Sequence, residues 1–139
     1  MIVLHTNVVS EFMKATPDAA VVRWIGARPA ADHYTTSITQ AEILYGIQLL
    51  PAGKRRNLLR QAAEGMFAED FAGRVLGFGI EAAPAYARIA SERRRVGQPI
   101  SHFDAQIAAI AQVSGASIAT RNVDDFAGIG LTILNPWKG

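Results

Sequence analysis

Ile2-Val3-Leu4-His5-Thr6-Asn7-Val8-Val9-Ser10-Glu11 is the stretch whose reading decides the fold. Three consecutive apolar residues, two of them β-branched, read as a strand buried on both faces, and the polar His5, Thr6 and Asn7 lead from it into a helical pattern over 7–14. The same alternation continues along the chain. Short β-branched or aromatic segments at 33–36, 74–78, 117–119 and 131–134 are separated by helical patterns at 18–27, 39–50, 53–69, 81–96 and 102–114. Strands joined through helices require right-handed crossovers, so the expected fold is α/β, a mostly parallel five-stranded sheet inside an α/β/α sandwich. Thr16-Pro17-Asp18 reads as a break with an N-cap, Pro51-Ala52-Gly53 separates two helices, Gly97 and Pro99 stop a third, and Gly115 fits a C′ position.

The 139 residues make one domain, 1–139, with no internal repeat or linker. Half are hydrophobic and 19% are charged, which excludes a disordered or low-complexity chain. The absence of cysteine excludes a disulfide framework, thiolate metal sites and a cysteine nucleophile. Fourteen basic against twelve acidic residues leave a charge of +2, too small for a general attraction to nucleic acid. Local clusters are another matter. Eight of the fourteen basic residues fall in two stretches, Lys54, Arg55, Arg56 and Arg60, then Arg88, Arg93, Arg94 and Arg95, which keeps RNA or DNA as a candidate partner. No apolar run approaches the roughly twenty residues of a membrane helix, and the start lacks the basic lead of a signal peptide, so the expectation is a cytoplasmic protein with no membrane partner.

Ligands of open parallel sheets sit beyond the carboxyl ends of the strands. The polar residues that arrive there are His5, Thr6 and Asn7 after the first strand, and Thr39 and Glu42 after the second. Ser101 and Asp104 follow on the helix reached after the third, and Thr120, Arg121, Asn122, Asp124 and Asp125 after the fourth. Thr39-Gln40-Ala41-Glu42 also reads as a capping box, and Ser101 to Asp104 repeats the pattern with aspartate. Yet each acid heads an apolar stripe, Tyr45, Gly46 and Leu49 beyond Glu42, and Ile107, Ala108 and Ala111 beyond Asp104. Desolvating a carboxylate there costs several kcal/mol unless a cation or donors stand beside it. No lysine or arginine of either helix is spaced to do so, and a hard divalent cation is the economical remedy.

Other chemistries lack their residues. A phosphoacceptor receiver domain wants an acid pair after the first strand and a lysine after the last. His5, His33 and His102 lack zinc-helix spacing, and neither a Gly-x-Ser-x-Gly elbow nor a phosphate-cradling Gly-Lys loop occurs.

Four ordered motifs then resemble those of PIN-domain ribonucleases: 1–11, 37–46, 97–109 and 119–126, ending Val123-Asp124-Asp125-Phe126. The match is nearest to the VapC toxins of type II toxin–antitoxin systems and their FitB-like branch, for which 49–56 and Asn135-Pro136-Trp137 also look typical. The resemblance implies a PIN-like sandwich and a metal-dependent endoribonuclease acting on RNA with Mg²⁺ or Mn²⁺. It further implies a homodimer, neutralised by a cognate VapB-like antitoxin that lays a segment into the active-site groove. Carried over residue by residue, the metal ligands are position 5, Glu42, Asp104 and Asp125, with Glu42, Asp104 and Asp125 catalytic. Thr6, Arg121 and Asn122 orient those ligands or contact the substrate.

Position 5 departs from the pattern, because the family carries aspartate there and this chain carries His5. The exchange removes a negative charge and substitutes an imidazole nitrogen that prefers softer metals, so Mg²⁺ binding should suffer most. The expectation is a weakened or inactive nuclease. The alternative is a non-catalytic, dimeric antitoxin-binding module. Helices 39–50 and 53–69 also carry more apolar residues than a small sheet covers, which predicts a subunit or antitoxin interface on that side.

Overall fold

The computed structural model describes residues 1–139. Five strands, β1 Ile2–Leu4, β2 His33–Thr36, β3 Val75–Leu76, β4 Ser117–Ala119 and β5 Ile133–Leu134, form one sheet in the order β3-β2-β1-β4-β5 with every pair parallel. Six helices connect them: α1 Thr6–Phe12, α2 Ala19–Gly26, α3 Ser37–Gln48, α4 Lys54–Gly65, α5 Ala82–Arg95 and α6 His102–Val113. β1 lies at the centre, with Ile2 opposite His33 on one side and Ser117 on the other.

The two faces of the sheet hold two cores, as the twofold side-chain alternation of a strand requires. Val3 and Ile118 join the core under α5 and α6, whereas their neighbours Leu4 and Ala119 join the core with Val8, Trp24, Ile43, Phe67 and Phe71. Helix α6 is buried from Ala105 through Ala111 apart from Gln106, and its alanines let the backbone lie close to the strands and to α5.

Several sequence-level boundaries hold. Asp18 caps α2 by accepting from Ala20 N–H at 2.8 Å, and Ser101 caps α6 by accepting from Asp104 N–H at 3.1 Å. Gly97 and Gly115 take the left-handed conformation just past α5 and α6, at φ 77° and 67°. Others move. The 53–69 helix stops at Gly65 and opens into a single π turn, Met66–Asp70, which brings the rings of Phe67 and Phe71 to 6.2 Å. The 74–78 segment pairs only at Val75–Leu76, because Gly77 and Gly79 weaken an edge strand.

The Thr39 to Glu42 capping box is not formed. Thr36 caps α3 instead, its hydroxyl accepting from Thr39 N–H at 3.0 Å, so Thr39 lies inside the helix and Glu42 is released from any capping role. No helix is long and apolar enough to cross a membrane.

Candidate active-site cleft

An all-parallel sheet delivers every strand's carboxyl end to one edge, and a cleft of about 420 Å³ opens there. Its walls include His5, Thr6, Glu42, Asp104, Arg121 and Asn122. Elements distant in sequence therefore meet as expected at that edge.

His5 directly follows β1 as the N-cap residue of α1, and its N–H donates to Ala119 C=O at 2.9 Å, so the ladder to β4 fixes its backbone. The residue is buried, with its ring edge-on to Phe126 at 4.9 Å between ring centres. Nδ1 lies 2.9 Å from Thr120 Oγ1, and Nε2 lies 2.9 Å from Asp104 Oδ1. The neighbours decide the tautomer. Thr120 Oγ1 already accepts from Asn7 Nδ2 at 3.3 Å and from Asn122 N–H at 3.1 Å. Its single proton goes to His5 Nδ1, leaving Nε2 to donate to the Asp104 carboxylate. A neutral imidazole thus satisfies every member of the network.

Glu42 is oriented by hydroxyls. Thr6 donates to Glu42 Oε1 at 2.8 Å and lies 3.0 Å from Thr39 Oγ1, so the buried Thr39 donates to Thr6 and Thr6 to the carboxylate. One oxygen of Glu42 is fixed while no side chain bonds the other. Asp104 is held likewise through Oδ1 alone, at the head of α6, where an anion also suits the helix dipole.

Glu11, one helical turn beyond Asn7, also lines the cleft and is 5% exposed. Its hydrogen bond from Lys14 Nζ at 2.9 Å, then that from Asp18 N–H at 2.9 Å, hold the carboxyl below the usual carboxylate range. Arg121 N–H donates to Asn7 Oδ1 at 3.4 Å, and its guanidinium lies 5.1 Å from the centre of the Trp137 ring, another wall of the cleft.

Asp125 is not brought to this cleft. It lies on the 3-10 turn Val123–Phe126, exposed, while fully buried Phe126 anchors the turn and Arg93 donates to the carbonyls of Asp125 and Ala127 at 2.8 and 3.2 Å. Arg93 itself is 6% exposed, so it braces the fold and is not part of a free basic face. Sequence reading passed over Glu11, Lys14 and Trp137. The signal for Glu11 was its i+4 spacing from Asn7 on α1, and that for Trp137 was its place just past β5, at the same carboxyl edge as the other strands.

The donors present do not fit Mg²⁺. That ion takes near-ideal octahedral oxygen coordination, whereas no three His, Asp or Glu side chains converge as a cation-holding group, and His5 occupies the Asp104 oxygen nearest to it.

A parallel five-stranded sandwich with carboxylates gathered at its strand ends is the architecture of the PIN domain. Residues 2–130 match the PIN domain model, and the chain belongs to that family. VapC ribonuclease Y4jK of Sinorhizobium fredii is 43% identical over 99% of both chains. Toxin FitB of Neisseria gonorrhoeae is 37% identical, again over 99% of each. The crystal structure of FitAcB from Neisseria gonorrhoeae superposes with a TM-score of 0.91 at 37% identity, covering 99% of each chain.

Proposed function

We propose that this chain is the toxin of a toxin–antitoxin pair, of the VapC and FitB kind, whose cleft receives an RNA strand beside Glu42 and Asp104, and in which His5 keeps phosphodiester hydrolysis slow. Relatedness over the whole chain to a protein named as a VapC ribonuclease supports the reaction class. The single observation that carries the low rate is the 2.9 Å bond from His5 Nε2 to Asp104.

The cleft's own residues do only part of the work of hydrolysis. Glu42, held by the Thr39–Thr6 relay, has one free oxygen to accept a proton from a water. Asn122 and Arg121, on the exposed loop after β4, reach the strand's phosphates. Glu11, Glu42 and Asp104 together repel a phosphodiester, and a neutral imidazole cancels none of that charge. Mg²⁺ or Mn²⁺ is the cofactor we propose for the family's reaction. This donor set holds Mg²⁺ poorly and Mn²⁺ somewhat better, since imidazole suits later metals.

The partner we propose is a VapB-like antitoxin. A groove of about 280 Å³ lined by Met13, Ile43, Ile47, Leu50 and Leu59 shares Thr6, Ser10 and Glu42 with the walls of the cleft. Leu49 and Leu58 stand 68% and 55% exposed on α3, its end and α4. An extended antitoxin segment can run along this apolar floor into the cleft. Homodimerisation would cover further apolar surface.

The His5 bond equally favours a second reading, a non-catalytic module that dimerises and binds antitoxin. Incubating the chain with total RNA in Mg²⁺, in Mn²⁺ and in EDTA separates the two. A slow, EDTA-sensitive cleavage supports the nuclease, and antitoxin binding without cleavage in either metal supports the module.

A further inference from the structure

Adjoining the cleft at Trp137, a second recess of about 440 Å³ is walled by Trp24, Trp137, Arg23, Arg28 and Lys138. Its volume is within the usual range of small-ligand sites. No acid lines it. None of Arg23, Arg28, Lys138 or the adjoining Arg121 forms an ion pair.

The cations are arranged on aromatic surfaces. Arg28 lies 3.9 Å above the Trp24 ring while donating to Trp24 C=O at 2.9 Å, which leaves part of its fork free. Arg121 lies 5.1 Å from the Trp137 ring on the cleft side. The α2 dipole accounts for Arg23 in the last turn of that helix. It does not account for Arg28 and Lys138, which arrive from the following loop and from beyond β5.

We propose that this recess is a single-stranded RNA subsite, holding the phosphate and base of a nucleotide that flanks the one in the acidic cleft. The inference rests on the ribonuclease reading and deepens it. Trp137 lines both spaces, so a nucleotide flanking the one in the cleft can be held on the recess side of its ring. The charges divide the labour: the cleft carries three carboxylates against Lys14 and Arg121, while the charged side chains of the recess, Arg23, Arg28 and Lys138, are all cationic. Phosphate held in the recess offsets the repulsion it meets in the cleft. Guanidinium and indole planes stack bases without reading sequence, which gives positioning rather than specificity.

The test is fluorescence anisotropy of a labelled mixed-sequence RNA 12-mer in EDTA, so that binding is read without cleavage. Arg23→Glu with Lys138→Glu should weaken binding roughly tenfold at 50 mM salt and reduce the salt slope by about 1.4, two phosphate contacts at about 0.7 each. Trp137→Ala should cost at least about fivefold. Arg94→Glu with Arg95→Glu, the same charge change on α5, should change affinity less than threefold. RNA binding that is equally affected by both double variants overturns the subsite while leaving the ribonuclease reading intact. No RNA binding by the unaltered chain overturns the ribonuclease reading and the subsite with it. Binding of a poly-glutamate peptide as tight as that of RNA, dependent on Arg23 and Lys138, assigns the recess to an acidic peptide and overturns the RNA occupant.

Discussion

His5 Nε2 and Asp104 Oδ1 lie 2.9 Å apart, joining the residue after the central strand to the first turn of α6 across 99 residues. The bond gives a buried imidazole and a partly buried carboxylate their partners without any ion. The side chains of the two residues are 7% and 20% exposed, so solvent screens the contact only partly.

Thr120 is the hub of that network, and removing its hydroxyl should be costly. Thr120→Val leaves His5 Nδ1 and two donors, from Asn7 and Asn122, without their partner. A loss of about 1–3 kcal/mol is expected. Urea unfolding should show a lower midpoint at an unchanged m-value.

Arg93 should matter for stability rather than for nucleic-acid binding. Its guanidinium and Nε serve the carbonyls of Gln98, Asp125 and Ala127, and Arg93→Met strands those acceptors. The expected cost is about 2–4 kcal/mol. Thermal unfolding reads it, with RNA affinity of the folded variant unchanged.

Stability should fall in acid in two stages. Burial, its Nε2 without a partner, holds the His33 pKa below the ordinary 6.5. The unfolded chain therefore binds a proton that the native one does not. The contribution is present above pH 6.5 and is lost as the pH falls below it. Glu11, held below the ordinary 4.5 by Lys14 and Asp18, adds a second loss as the pH falls below that value. Denaturant titrations carried from pH 8 down to about pH 2 should show both, and His33→Phe should remove the first slope and leave the second.

What the sequence made legible follows the reach of each signal. Strand–helix alternation, the Asp18 and Ser101 caps and the left-handed Gly115 are local patterns, and all appear in the structure. The α3 cap was not decidable locally. Thr36 and Thr39 are both capping hydroxyls, and the end of β2, set by pairing with β1 and β3, selects Thr36. Asp104 was found because a carboxylate heading a buried stripe, Ile107, Ala108 and Ala111, needs a partner. The same reasoning fails for Glu42, because Tyr45, Gly46 and Leu49 beyond it are exposed on the outer side of α3, and Glu42 reaches the cleft from the helix's first turns instead. The partners of the two carboxylates proved to be a threonine and a histidine at the start of the helix that follows β1, long-range contacts with no sequence signature of their own. Asp125 was expected in the cleft through loop position alone, and the anchoring of Phe126 and Arg93 holds its turn elsewhere.

The most direct test of the account is the response of His5→Asp to Mg²⁺, measured beside the unaltered chain. An additional carboxylate next to Asp104 should lower the stability of the metal-free variant by repulsion, and added Mg²⁺ should restore it. In parallel, Mg²⁺-dependent cleavage of total RNA should rise by at least about tenfold. The unaltered chain should show no thermal shift with Mg²⁺ at millimolar concentration. Equal Mg²⁺ shifts and equal cleavage rates for the two proteins would contradict the account, because residue 5 would then have no part in holding the ion.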